Sequence, residues 1–170
     1  MDVANFVIAL IGLIAAVASL VWQAVTFVLS GIRPQCKMMH GAINPGRQYA
    51  TYPIVGRTLR LPGSVVAQGF TEEALFVTVH NAGRLPFSVK SWHLVLEGGV
   101  STGVLNNPFG PALPHRLDVG EEATWAIEMS QAQQVADAWR SQRGGVSVPA
   151  WMEVQVGNGK TYRSKEVVDL

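Results

Sequence analysis

The sequence predicts a mainly β protein, an antiparallel two-layer sandwich with one short helix, preceded by a single transmembrane α-helix. Three observations support this fold class: a long uncharged apolar run at the start, several short alternating segments separated by turn residues, and one amphipathic window near residue 135. We expect residues 1–32 to form the transmembrane helix, 33–70 a juxtamembrane connector with short irregular strands, and 71–170 the β-sandwich domain.

Composition limits the classes of function. The chain has 13 basic and 12 acidic residues and a net charge of +1. The lysines and arginines are scattered, whereas nucleic-acid surfaces cluster them on one face, so we expect no nucleic-acid partner. Cys36 is the only cysteine, so no disulfide can form within one chain; intermolecular pairing or lipidation of this thiol stays open.

The amino-terminal run lacks charged side chains from Val3 to Ile32. About 20 apolar residues, each rising ~1.5 Å in a helix, cross the hydrocarbon of a bilayer, and this run is longer. A cleavable signal peptide has a basic start and a shorter apolar stretch, whereas this chain opens with Met-Asp. We therefore expect a membrane anchor that is retained.

Charges beside the run predict its orientation. Only Asp2 precedes it, whereas Arg33, Lys37 and Arg47 follow it. Because lysine and arginine beside a membrane helix are retained in the cytoplasm, we predict a cytoplasmic carboxy-terminal domain. We also expect these three side chains to contact lipid head groups.

Small and polar residues recur along the run at alternating spacings of four and three residues. Such a repeat keeps one helix face against a partner in a left-handed bundle, and small residues let backbones approach closely in lipid. We predict self-association along this small-residue seam, with a lone anchor and a water-lined pore as alternatives. The seam consists of Asn5, Ala9, Gly12, Ala16, Ser19, Gln23, Thr26 and Ser30.

Alternation beyond residue 73 predicts strands. The segment ALFVTVHN places Leu75, Val77 and Val79 on one face, as in a half-buried strand. The next segment, FSVKSWHLVL, changes phase near Lys90 and Ser91, and a β-bulge there would restore one buried face.

Later segments add a strand, a helix and a hairpin. In the strand, Trp125, Ile127 and Met129 are predicted to point inward. The helix should start at Ser130 as N-cap and stop at Gly144. Its expected apolar stripe is Ala132, Val135, Ala136 and Trp139.

The terminal hairpin WMEVQV-GNG-KTYRSKEV allows two registers. A two-residue turn would pair Val154 with Arg163, and a three-residue turn would pair Val154 with Tyr162. We expect the second register, because it keeps apolar side chains on one face.

Residues 74–167 resemble bacterial immunoglobulin-like domains. The likeness rests on the order FVTVHNAGRLPFSV, LPHRLDVGEEATW and a terminal hairpin, with an Asn-x-Gly turn before a proline and a Gly-Glu pair opening a later strand. It implies an adhesion, scaffolding or assembly module without catalytic residues. The helix before the last strands departs from the simplest form of that family.

Motifs for chemistry are missing from the sequence. The histidines at 40, 80, 93 and 115 do not have the spacing of a metal site in one helix or one tight loop. His80 and His93 could meet on neighbouring strands, but we expect all four on the surface or the rim of the domain. Phosphate-binding, nucleophile-elbow and redox-cysteine motifs do not occur. We therefore predict no enzymatic activity, no cofactor and no metal.

Two aromatic residues are candidates for a protein contact. Trp151 is out of phase with its apolar neighbours and is expected to be exposed. Together with the loop NNPFGP around Phe109, it is predicted to form a contact surface for a protein partner, with packing beneath a loop as the alternative. The predicted function is a non-enzymatic, self-associating membrane protein that presents a binding module. The alternative is an oligomeric effector that permeabilises membranes, and an enzyme or ligand sensor built from loops is a third, weaker hypothesis.

Overall fold

The computed structural model describes residues 3–29, 31–57, 59, 61–103, 109–143 and 147–170. The chain is mainly β, with two antiparallel sheets and an amino-terminal apolar helix, which confirms the coarse fold class. Within the described residues the elements are α1 (Val3–Leu29), β1 (Pro34–Ile43), β2 (Tyr49–Pro53), α2 (Gly63–Ala67), β3 (Glu72–Asn81), β4 (Phe87–Leu96), β5 (Ser101–Thr102), β6 (His115–Leu117), β7 (Glu122–Glu128), α3 (Met129–Arg143), β8 (Pro149–Val156), β9 (Thr161–Arg163) and β10 (Val168–Asp169).

Helix α1 is long and apolar enough to cross a membrane. Its span Val3–Thr26 has a mean hydropathy of 2.5, and none of that span is buried against the rest of the chain. The core helix of a soluble protein would instead be mostly buried. Large apolar side chains such as Phe6, Leu13 and Trp22 are exposed.

The first sheet has the strand order β2-β1-β3-β7. Strand β1 pairs with β3 along its whole length, from Pro34 opposite Asn81 to Ile43 opposite Glu72. Residues 33–70 were predicted to hold only short irregular strands; β2 is short, but β1 has ten residues and is an inner strand of the sheet. Both faces of β1 are partly buried, so no clean alternation marked it.

The second sheet has the order β10-β8-β4-β5, with β6 also pairing with β4 and β9 with β8. The register of β4 against β8 shifts between Val89 and Ser91, which confirms the predicted bulge. Val154 pairs with Tyr162, which confirms the three-residue turn. In both places burial of one face selects the register.

The core lies between the two sheets. Leu75, Val77 and Val79 from β3 pack in one buried cluster with Trp92 of β4 and Trp125 of β7, as predicted. The same cluster contains Ile127 and Met129.

The outer face of β3 was predicted to be open and is covered. Phe76 is fully buried in a second cluster, and the hydroxyls of Thr78 and Thr124 are 2.8 Å apart. The prediction that β3 is half-buried was therefore wrong, because the sheet also packs on its outer side.

Helix α3 confirms the predicted stripe. Ala132 and Ala136 are buried, and Val135 and Trp139 pack against the core. The helix begins at Met129, so Ser130 lies in its first turn; the Ser130 hydroxyl donates to Glu128 at 3.3 Å, and the predicted N-cap was misplaced. The predicted stop at Gly144 falls outside the described residues.

The sandwich has two distinct ends. The end that receives α1 includes the linker 31–33 and the turns 82–86 and 118–121, and we name it the helix-proximal end. The other end includes the turn 44–48, the start of β3 and the first turn of α3, and we name it the helix-distal end. A ten-residue strand such as β1 separates them by about 30 Å.

Candidate functional site

The linker that follows α1 is docked on the turn between β3 and β4. Ala82 N–H donates to the Arg33 carbonyl at 3.1 Å, and Arg84 N–H donates to the Gly31 carbonyl at 3.4 Å. A Cβ atom on Gly83 would lie 2.5 Å from Arg33 N and 2.7 Å from Gly31 O. Glycine is thus required for this close approach of two backbones.

Asn81 organises the helix-proximal end. It is fully buried, and its Nδ2 donates to the carbonyls of Leu85 at 3.0 Å and Leu117 at 3.2 Å. Its Oδ1 accepts a hydrogen bond from Gly83 N–H at 3.0 Å. One side chain therefore satisfies buried backbone groups in two turns and holds the turn on which the linker docks.

The backbone of Asn81 extends this network. Its N–H donates to the Glu121 carbonyl at 2.9 Å, and its carbonyl accepts from Gly120 N–H at 3.0 Å. The turns 82–86 and 118–121 are thereby fixed beside each other. The sequence marked Asn81 only as part of an Asn-x-Gly turn, and nothing local indicated its partner Leu117.

A carboxylate covers part of the edge of β1. Strand β2 pairs with β1 only from Met39 onward. Before that point, Met38 N–H donates to Glu166 Oε2 at 3.0 Å.

Burial raises the pKa of the Cys36 thiol from 9.0 to about 12, and the Glu166 carboxylate adds to the rise. The Cys36 thiol is thus shielded from water, although Gln35 and Lys37 on either side of it are exposed.

The helix-distal end has an open cleft of about 430 Å³. Its lining combines polar and apolar side chains: Arg57, Glu73, Gln133 and Asp169 with Leu59, Met129 and Leu170. His40 is buried beside it, with Nε2 at 2.6 Å from Glu73 Oε1, so the predicted surface position was wrong for this histidine. Arg57 and Asp169 form an exposed ion pair at 3.4 Å.

Metal-binding clusters of three or more His, Cys, Asp or Glu side chains do not occur among the described residues. His80 lies in the first sheet and His93 in the second, so these two are not on neighbouring strands.

The predicted lipid-contact residues are divided between the two ends. Arg33 lies in the docked linker, and Lys37 lies near the start of β1. Arg47 lies in the β1–β2 turn at the helix-distal end, where its guanidinium is 5.8 Å from the Phe109 ring centroid. Proximity in sequence grouped Arg47 with the others, but β1 places it about 30 Å away.

The small-residue seam lies on exposed α1, except for Ser30, which is outside the described residues. Thr26 Oγ1 donates to the Trp22 carbonyl at 3.0 Å, and Gln23 Nε2 is 3.5 Å from Ser19 Oγ. Around Gly12, a Cβ atom would meet no described atom within 4 Å. The rest of the seam consists of Asn5, Ala9 and Ala16, all exposed.

The two predicted partner-contact residues lie on opposite outer faces. Phe109 packs on the first sheet with Tyr49 and Phe76, at ring-centroid distances of 5.2 and 5.9 Å. Trp151 lies on the second sheet, where the guanidinium of Arg163 is 3.7 Å from its ring centroid. Both side chains are half-buried, so the expected exposure of Trp151 is only partly met, and the structure does not bring Phe109 and Trp151 into one surface.

Comparison with known proteins gives no family model that matches the chain and no curated protein with significant sequence similarity.

Proposed function

We propose that this chain is a non-enzymatic single-pass membrane protein that self-associates through α1 and presents its β-sandwich as a binding or assembly module. The observation that carries the proposal is a fully exposed apolar helix joined to the sandwich by a docked linker. The linker fixes the end of the sandwich from which the helix leaves. The helix-proximal end is therefore the end of the module that lies nearest the membrane.

The exposed helix is the first support. Its apolar side chains are not covered by the domain, and burial of apolar area is worth about 25 cal/mol per Å², so a bilayer is the environment that stabilises it. The span Val3–Thr26 has 24 residues and reaches ~36 Å at the helical rise, which exceeds a hydrocarbon thickness of ~30 Å.

The small-residue seam is the second support. Gly12 and Ala16 leave the backbone of α1 open to close approach by another helix. Gln23 makes one long hydrogen bond to Ser19 within its own helix, and a second copy offers better partners in lipid. Both features favour a bundle of α1 helices over an isolated anchor.

Substitutions on and off the seam test self-association. Gly12→Leu and Ala16→Leu place bulk on the seam, whereas Ala18→Leu adds the same bulk away from it. We expect the two seam variants to shift the full chain in detergent towards monomer, measured as molar mass by light scattering, while Ala18→Leu keeps the wild-type mass. A monomeric wild type would contradict self-association.

We also propose that the sandwich is cytoplasmic and immunoglobulin-like. Arg33 and Lys37 at the helix exit support the cytoplasmic side, and the buried Asn81 turn supports the resemblance. In a Cys36→Ser background, Lys37→Cys should stay unlabelled by an impermeant maleimide in intact cells and react after lysis. Labelling before lysis would place the domain outside.

A pore-forming effector is the second candidate, because the seam contains the amides of Asn5 and Gln23. The internal hydrogen bonds of Thr26 and Gln23 favour a packed interface over a water-lined one. Liposomes that contain the full chain should therefore retain a trapped dye, and rapid release would favour the effector.

A further inference from the structure

We propose that the helix-proximal end of the sandwich is a second membrane-contact surface, in which Leu85 and Val119 enter the head-group region and Arg33 and Arg84 bind lipid phosphates. The occupant is the anionic surface of the bilayer that α1 crosses. This inference rests on the proposed membrane anchoring and adds a direct contact between the domain and the lipid.

Two exposed apolar side chains mark this surface. Leu85 is 51% exposed and Val119 is 55% exposed, each in a turn at the helix-proximal end. Asn81 joins the two turns, because its side chain donates to the Leu85 carbonyl and its carbonyl accepts from Gly120. The two apolar side chains are therefore held on neighbouring turns of one rigid end.

The depth of these turns follows from the docked linker. A helix that crosses the hydrocarbon with Val3–Thr26 leaves residues 31–33 in the head-group region, which extends about 5–8 Å beyond the hydrocarbon on each side. Arg84 N is 3.4 Å from Gly31 O, so the turn with Leu85 lies at the same depth. Apolar side chains at this depth are shielded from water.

Two arginines at this end are placed to bind lipid phosphates. Arg33 and Arg84 are both exposed beside the helix exit. On the neighbouring turn, Asp118 pairs with Arg116 at 3.0 Å, and the Glu121 carboxylate accepts a hydrogen bond from Asp118 N–H at 2.9 Å. Glu122 at the start of β7 is exposed as well. Basic side chains with apolar tips are the combination found on interfacial membrane surfaces.

Fluorescent labels at single cysteines test the contact. In the full chain with the background substitution Cys36→Ser, a single cysteine is introduced as Leu85→Cys or as Val119→Cys. Each variant is labelled at that cysteine with an environment-sensitive dye and is reconstituted in vesicles of phosphatidylcholine and phosphatidylglycerol. Val100→Cys is the matched control, because Val100 is 42% exposed in the β4–β5 turn at the helix-distal end. Thermal unfolding of each variant checks that the fold is intact.

We expect blue-shifted emission and quenching by lipids with shallow spin labels at positions 85 and 119, and neither effect at position 100. Adding Arg84→Glu should reduce the quenching at position 85. A blue shift without quenching would show that protein covers this end and would overturn the lipid contact.

Carbonate extraction of the same vesicles separates the two proposals. If the chain stays in the membrane but positions 85 and 119 behave like position 100, the anchor stands and the second contact is wrong. If carbonate removes the chain, the membrane anchoring itself is wrong.

Discussion

The two ends of the sandwich differ in the hydrogen-bond partners of their buried polar side chains. At the helix-proximal end, Asn81 is fully buried and its side chain is satisfied by backbone groups of the protein. At the helix-distal end, His40 is just as deeply buried, but its partner Glu73 is 43% exposed in an open cleft. One end is closed by protein, and the other is open to water.

This difference suggests that the two ends have different roles. A closed network has one geometry, which suits an end that must fix the sandwich to a membrane helix. In an open cleft, a hydrogen bond between protein groups can be exchanged for one to water at little cost, which suits an end that meets a soluble partner.

The largest expected effect concerns the Cys36 thiol. A pKa of about 12 instead of 9.0 lowers the thiolate fraction near pH 8 by about a thousandfold. We expect the Cys36 thiol of the native wild type to react with iodoacetamide at least about tenfold more slowly than the exposed thiol of the variant Cys36→Ser, Lys37→Cys, because the stronger nucleophilicity of a more basic thiolate offsets only part of the lower thiolate fraction. In denaturant the two thiols should react at equal rates. Equal native rates would show that the Cys36 side chain is accessible to water.

The same thiol makes stability depend on pH. The native state keeps the proton above pH 9, whereas the unfolded state loses it, so unfolded chains bind fewer protons and the free energy of unfolding falls as pH rises from about 9 towards 12. Cys36→Ala should flatten this decline in urea unfolding of the full chain in detergent.

Asn81→Ala should give the next largest effect. It leaves the carbonyls of Leu85 and Leu117 and the N–H of Gly83 without partners in a buried place, and we expect the free energy of unfolding to fall by roughly 3 kcal/mol. Urea unfolding measures this loss.

Asn158→Ala is the matched control for Asn81→Ala. Asn158 is exposed, and its Oδ1 accepts from Lys160 N–H at 3.0 Å, so water can replace it and the loss should stay below about 1 kcal/mol. Equal losses for the two variants would contradict the closed network.

Gly83→Ala should act on the linker. The new methyl group would collide with the backbone of residues 31–33, at a cost of about 1–3 kcal/mol, so we expect the linker to detach. Hydrogen exchange at the amides of Ala82 and Arg84 should then speed up.

Gly63→Ala serves as the comparison for Gly83→Ala, because a Cβ at position 63 would meet no described atom within 4 Å. Unchanged exchange in both variants would mean that the linker is not held by this turn.

Features of the fold that depend on which face of a strand or helix is buried could be predicted from the local spacing of apolar residues. The bulge between Val89 and Ser91 and the pairing of Val154 with Tyr162 were both predicted, because apolar alternation determines which side of a strand is buried. The stripe of α3 was predicted for the same reason, since its spacing is local in the sequence.

Features that depend on distant contacts were not predicted. Strand β1 lacks clean alternation because His40 and Gly41 interrupt it. Glycine is required at position 41 because a Cβ atom there would collide with the Ala50 carbonyl of β2 and crowd the Phe76 ring. The bond from Asn81 to Leu117 spans 36 residues, so no short motif could indicate it. Arg47 follows α1 closely in sequence, but the extended strand β1 lies between them and places Arg47 at the helix-distal end.

The smallest expected effect is at the open end. Glu73→Ala removes the hydrogen bond to His40, but water in the cleft can take its place, so the free energy of unfolding should fall by only about 1 kcal/mol. Glu72→Ala removes an exposed neighbour on the same strand and should cost less than ~0.5 kcal/mol. Urea unfolding of both variants measures the difference. A loss at Glu73 as large as that of Asn81→Ala would mean that His40 is closed off from water, and the contrast between the two ends would fail.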